Sequence, residues 1–190
     1  MQADIIIEVF GAVTGLLFVY LEIRQIRAMW LIGGISALIY IAVFLNSGLL
    51  AAMGLQVYYL GVSLYGWRKW GVQDKEEPDT KQTVSKMSLM VFIVSTATAA
   101  AAYLVLAYLL KEYSRDPMPK ADALIATISM LATYWVTRKY IENWILWIIA
   151  NALSLYLYIS QGLYATTVLY FIYLIGAVVG YIHWIKFRKI

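Results

Sequence analysis

The chain has 190 residues, of which 63% are hydrophobic and 14% charged; a soluble domain is nearer half apolar, so water is not the main solvent of this one. Cysteine is absent and histidine occurs once, as His183, which excludes disulfides, thiolate catalysis and clustered Cys/His metal sites. The net charge of +4 fits the basic loops of an integral membrane protein and gives no support to nucleic-acid binding.

A membrane-spanning helix takes about 20 residues, and seven apolar stretches qualify in chain order: 5–23, 30–45, 49–67, 87–110, 121–136, 144–160 and 163–185. Met1–Asp4 lacks the basic region and cleavage site of a signal peptide, so the first stretch reads as a retained span. Asn46-Ser47-Gly48 and Gln161-Gly162 are short breaks that predict tight helical hairpins. Gln73–Lys86, with mixed charges around Pro78, predicts a solvated connector. Pro78, Pro117 and Pro119 all fall in loops, so a hinge within a span must use glycine. The fold class is an all-α integral membrane protein of seven transmembrane helices.

Arg24, Arg27, Arg68, Lys69, Lys75, Lys81, Lys86, Arg138, Lys139, Lys186, Arg188 and Lys189, twelve of the fifteen basic residues, lie on one side of this arrangement. Cytoplasmic loops collect Lys and Arg, so the N-terminus is expected outside and the C-terminus in the cytoplasm.

A gapless shift of 114 residues aligns Tyr20 with Tyr134, Arg24 with Arg138, Trp30 with Trp144, Gly48 with Gly162, Tyr59 with Tyr173, Gly66 with Gly180 and Trp70 with Trp184. Coincident Trp, Arg and Gly at landmarks mark a duplication rather than shared apolar composition. The shift carries helix 1 onto helix 5, so the copies are expected to be parallel. The expected organisation is a first three-helix repeat (1–70), a connector plus linker helix 4 (71–120) and a second repeat (121–190). Transporters built from such repeats hold substrate near the midplane between the halves.

A polar side chain deep in a span is costly unless it has a task. Asn151 is mid-helix, and Trp144, Trp147, Asn151 and Tyr158 recur at helical spacing on one face. Gln56 is mid-helix in span 3, with Tyr59 a turn beyond. Under the shift, Trp147 and Asn151 correspond to Gly33 and Ala37, and Gln56 to Tyr170. The copies thus differ where a site would sit, and the small residues are expected to leave a slot for a flat ring against Trp147. An indole face with amides nearby suits a flat, polar, cationic heteroaromatic. Trp67, Trp70, Tyr181 and Trp184 read as interfacial belts, Gly11/Gly15 and Gly176/Gly180 as packing pairs, and Glu8 and Glu22 as interfacial carboxylates. No catalytic constellation can be assembled, so no enzyme activity, metal or cofactor is expected. With no midplane acid, facilitated diffusion is the simplest mechanism.

The stretches Gly54-Leu55-Gln56-Val57-Tyr58-Tyr59, Tyr65-Gly66-Trp67-Arg68-Lys69-Trp70, Asn143-Trp144-Ile145-Leu146-Trp147 with Asn151, and Gly162-Leu163-Tyr164-Ala165 with Tyr170 resemble the PnuC family of bacterial vitamin transporters over essentially the whole chain. The resemblance implies a fold related to SWEET sugar transporters with a three-one-three plan, a homotrimer in the bacterial cytoplasmic membrane, and uptake of nicotinamide riboside without direct energy coupling. It implies a substrate site lined by Trp147, Asn151, Trp144, Gln56, Tyr59 and Tyr170, with Asn143 and Tyr173 beside them. SWEET-type proline hinges are missing, which leaves Gly33 and Gly34 as hinge candidates. Thiamine, carried by a branch of the family, or another vitamin is the alternative substrate; a non-transporting scaffold or a membrane enzyme is the remaining one.

The charge asymmetry predicts that a reporter fused to the C-terminus is active in the cytoplasm and one fused to the N-terminus is not. The reverse pattern in paired fusions overturns the topology.

Overall fold

The computed structural model describes residues 2–46, 50–76, 84–85, 87–114 and 117–187. Among them are seven helices: α1 (Gln2–Ile23), α2 (Ala28–Asn46), α3 (Leu50–Glu76), α4 (Leu89–Tyr113), α5 (Pro119–Thr137), α6 (Asn143–Ser160) and α7 (Tyr164–Ile185). Ser47 and Gly48 of the first predicted hairpin, most of the Gln73–Lys86 connector and the side chain of Glu8 lie outside the described residues. Most helix boundaries fall within three residues of the sequence reading, and two departures have a clear cause. Helix α3 continues nine residues past the predicted end at 67, because the apolar pattern stops at Arg68 while the helix-forming residues do not. Pro119 is the first residue of α5, where a missing N–H costs nothing.

Helices α2, α4, α6 and α7 are each long and apolar enough to cross a membrane. Their surfaces agree: Leu31, Leu38, Leu104, Tyr156, Val168 and Ile182 are all more than half exposed. A soluble protein hides such a surface, whereas lipid solvates it. Helix α4 is the extreme case, with none of its residues buried.

By compactness the chain divides into two units, residues 1–82 and 83–190. In the first, α2 packs against both α1 and α3; in the second, α6 packs against both α5 and α7, and α4 packs on α5. The partly covered residues of α4 form a stripe along the helix at 91, 95, 99, 102, 103, 106, 107 and 110. Between α4 and α5, Trp135 Nε1 donates to Ser95 Oγ at 3.1 Å and the Phe92 ring lies 6.0 Å from the Trp135 ring.

Each unit contains the same elbow. Gln25 (φ 52°) ends α1 and Lys139 (φ 53°) ends α5, both in the left-handed region. The Gln25 N–H donates to Glu22 O at 2.9 Å and the Ile26 N–H to Leu21 O at 2.8 Å; 114 positions on, the Lys139 N–H donates to Val136 O at 2.9 Å and the Tyr140 N–H to Trp135 O at 3.2 Å. This paired closure satisfies the last helical carbonyls. Glycine normally takes the left-handed position, since other residues lose about 1–2 kcal/mol there. Both copies nevertheless keep a long polar side chain, and both bury it.

Beyond the elbow a tryptophan joint repeats. Trp30 stands edge-on to Trp70 (5.5 Å, 89°) and Trp144 edge-on to Trp184 (5.4 Å, 87°). A Cβ placed on Gly66 would overlap the Trp30 indole, and one on Gly180 the Trp144 indole. Glycine is required at both points because the flat ring lies directly on the helix backbone. Trp70 and Trp184 are therefore not belt residues: they are 1% and 0% exposed and belong to the core of each triplet. Glu22, read as interfacial, is likewise buried at 1% exposure, because it sits in the last turn that the elbow folds over.

The elbows are tied down differently. In the first unit Arg27 Nε donates to Trp67 O at 2.8 Å, with its guanidinium 3.8 Å from the centre of the Trp67 ring. In the second a strap of backbone does it: the Val84 N–H donates to Phe187 O at 3.1 Å and the Ser85 N–H to Lys139 O at 3.0 Å. The hairpin at Gln161-Gly162 is present as predicted, with Gly162 at φ 72° and the Leu163 N–H donating to Tyr158 O at 2.9 Å.

Gly180→Ala is expected to lower the thermal midpoint in detergent by the equivalent of about 1–3 kcal/mol, the cost of overfilling a packed contact. Gly61→Ala, whose Cβ would meet nothing within 4 Å, is expected to keep or raise the midpoint, since alanine is the better helix former. Equal midpoints for the two variants would show that the Trp144 ring does not lie on Gly180.

Candidate functional site

Helix α6 has no charged residue along its length, yet it carries an unusual set of buried polar groups. Asn143, Trp147, Asn151 and Ser154 follow one another at intervals of four, four and three, so at 100° per residue they share an arc of about 80°. Asn143 is 0%, Asn151 6% and Ser154 1% exposed, and Trp147 is half-buried. Asn143 Nδ2 donates to Tyr140 O at 2.6 Å, which pins the side chain to the elbow. Its Oδ1, the Trp147 Nε1 and the Ser154 Oγ are buried without a hydrogen-bond partner. Such groups cost stability wherever water is excluded. Three on one helical face make this face the candidate site.

The first triplet supplies the control. The corresponding positions of α2 are Met29, Gly33, Ala37 and Tyr40, three apolar residues and one phenol. Tyr40 satisfies its hydroxyl by donating to Ile7 O at 3.3 Å. At Gly33 an added Cβ would lie 3.0 Å from Phe18 Cε2 and 3.2 Å from Ser63 Oγ, so α1 and α3 fill the space above it. Ala37 is 1% exposed. The slot expected over Gly33 and Ala37 is not open within the first unit; small residues there serve close packing. Helix α2 runs without interruption through Gly33 and Gly34.

The other predicted residues fall into three groups. Trp144 is the second residue of α6, but its ring is taken up by Gly180 and Trp184, as Trp30 is by Gly66 and Trp70; its Nε1, like that of Trp30, is buried without a partner. Tyr170 and Tyr173 of α7 form an aromatic trio with Tyr158 of α6: Tyr170 lies 4.9 Å from Tyr158 and 5.6 Å from Tyr173. Gln56 and Tyr59 belong to the first unit, part-buried on α3, with the Tyr59 ring 5.6 Å from Tyr58. Sequence reasoning passed over Ser154. A signal was available in its spacing of seven from Trp147, but a helical serine usually satisfies its hydroxyl on its own backbone, and only coordinates reveal that this one does not.

Residues 5–186 match the model of a family described as nicotinamide mononucleotide transporter. The chain belongs to this family. Its relatives include the nicotinamide riboside transporter PnuC of Escherichia coli (strain K12), 28% identical over 203 residues that cover 95% of this chain and 85% of the relative. The riboflavin/roseoflavin transporter RibM of Streptomyces davaonensis is also 28% identical, over 177 residues covering 90% and 80% of the two chains. The fold of the family member described here matches the crystal structure of the vitamin B3 transporter PnuC with a TM-score of 0.73 at 23% identity, over 97% of this chain and 83% of that one. As a member of the family it is a multi-pass membrane protein with transporters for relatives, and its apolar helix surfaces accord with that setting.

Proposed function

We propose that this family member carries nicotinamide riboside into the bacterial cytoplasm by facilitated diffusion, and that the polar face of α6 is the central part of its substrate site. The observation that carries this reading is the divergence of the two copies: α6 presents Asn143, Trp147, Asn151 and Ser154 where α2 presents Met29, Gly33, Ala37 and Tyr40. Packing needs are met by the α2 set, so the α6 set answers a different requirement. The Trp147 face takes the cationic ring, an attraction worth about 2 kcal/mol when desolvated. The Asn151 amide, which donates and accepts, takes the ring's carboxamide.

In the same reading Asn143 and the Trp144 N–H contribute at the elbow end of α6, Tyr170 and Tyr173 contribute from α7, and Gln56 and Tyr59 from α3. Gly33 and Gly34 are the points at which α2 flexes. The uncharged α6 supports transport without ion coupling, since a relay needs an ionisable group on the path. The basic side of the chain faces the cytoplasm, and the protein works as a homotrimer in the cytoplasmic membrane. A second reading, another vitamin such as riboflavin or thiamine on the same face, has a specific basis in the similarity to the riboflavin transporter RibM.

Counterflow of labelled nicotinamide riboside into proteoliposomes without any ion gradient tests the proposal. The wild type and Trp67→Ala are expected to exchange it, and Trp147→Ala to need about thirtyfold more substrate for the same rate, the equivalent of the lost cation–π contact. Exchange that demands a proton or sodium gradient overturns facilitated diffusion. Exchange of riboflavin or thiamine in place of the riboside transfers the site to the second reading.

A further inference from the structure

Hydroxyl groups in these helices have a common habit. Thr127 Oγ1 donates to Ala123 O at 2.8 Å, Thr133 Oγ1 to Ser129 O at 2.7 Å and Thr137 Oγ1 to Tyr134 O at 2.6 Å. Those three threonines are as buried as Ser154 or nearly so, at 5%, 5% and 1% exposure against its 1%. The backbone carbonyl a turn earlier is always within reach of a helical serine, yet the Ser154 hydroxyl is buried without it or any other partner.

Packing does not account for the hydroxyl. In the first triplet the equivalent position is Tyr40, which lies over Gly11, where an added Cβ would overlap the phenol. The corresponding residues of the second triplet are Ser154 and Ile125, so the first position has changed from large to small and the second from small to large. That exchange asks only for a small residue at 154. Alanine meets the requirement, as Ala150 does one turn earlier at 2% exposure, and it carries no polar group to bury.

Ser154 lies seven residues beyond Trp147 on the same face, about 10 Å along the helix axis, with Asn151 between them. A lone heteroaromatic ring on Trp147 does not reach that far; a ring that carries a sugar does. We propose that Ser154 is a further substrate-binding residue, whose hydroxyl hydrogen-bonds one hydroxyl of the sugar and so makes the site choose the nucleoside over its free base. This rests on the riboside reading of the α6 face given above.

The test is binding of nicotinamide riboside and of its 2′-, 3′- and 5′-deoxy analogues to purified wild type and Ser154→Ala, read by tryptophan fluorescence, with thermal midpoints of both ligand-free proteins. A net hydrogen bond is worth about three- to tenfold in affinity. Ser154→Ala is therefore expected to weaken the riboside by that factor and to leave the one analogue that lacks the bonded hydroxyl unaffected. Its ligand-free midpoint is expected to equal or exceed that of the wild type, because an unpartnered polar group is gone. Uniform weakening of all four ligands, no weakening of any, or a fall in the ligand-free midpoint each overturns the role of Ser154. Failure of the wild type to bind any of the four overturns the riboside reading itself, and the role of Ser154 with it.

Discussion

Lipid tails are as apolar as leucine side chains, so the hydrophobic effect does little to hold one helix against another inside a membrane. Close packing has to do it. In this protein the contact that meets the constraint is an indole laid on a glycine: Trp30 on Gly66 and Trp144 on Gly180, each closed by a second indole edge-on. Edge-to-face rings add about 0.5–1.5 kcal/mol beyond the area they bury. More important is the geometry that the joint imposes. A flat ring on bare backbone allows α6 and α7, or α2 and α3, little freedom to slide or rotate without a clash. Together with the left-handed elbows at Gln25 and Lys139, it fixes where each middle helix begins and which face it turns.

A middle helix fixed twice in the same way becomes an internal comparison. Residues alike in both copies meet the scaffold's demands: the tryptophans, the glycines, the elbow hydrogen bonds. Residues unlike are free of those demands. On α2 the freed face is filled with Met29, Ala37 and a satisfied Tyr40; on α6 it holds an amide oxygen (Asn143), an indole N–H (Trp147) and a hydroxyl (Ser154) that the chain itself leaves without partners. The cost of burying such groups would be selected away if nothing compensated for it. Substrate binding is the compensation that the family relationship suggests.

The seven helices and their order were legible in the sequence because a spanning helix announces itself by length and continuous apolarity. The 114-residue correspondence stood out because Trp, Gly and Arg are rare enough in such a composition for their coincidence at one shift to carry information, and the elbows and tryptophan joints recur at that same shift. What escaped was the destination of side chains. Trp70 and Trp184 lie near helix ends, where tryptophan commonly faces the lipid headgroups, and only the partners Trp30 and Trp144 show that they turn inward. Hydropathy ends α3 at Trp67, since it registers solvent preference and not helix propensity; the helix itself runs on to Glu76. Gly33 looked like the floor of a slot, but Phe18 and Ser63 cover it. Ser154 looked ordinary, since a serine that bonds its own backbone and one that does not are written with the same letter.

The same face also bears on how such a site can bind and still release. A buried ion pair would hold a cationic ring tightly, but once the ring left, the remaining carboxylate would be stranded in a medium that penalises it by several kcal/mol. Amides, a hydroxyl and an indole leave a smaller residue of unsatisfied polarity, about 1–3 kcal/mol for each group. Under the proposed facilitated diffusion the empty carrier is then not prohibitively costly, and it returns without cargo or a counter-ion. A carrier driven only by its substrate's gradient needs that property, and α6, with polar groups on one face and no charge from Asn143 to Ser160, has the composition that provides it.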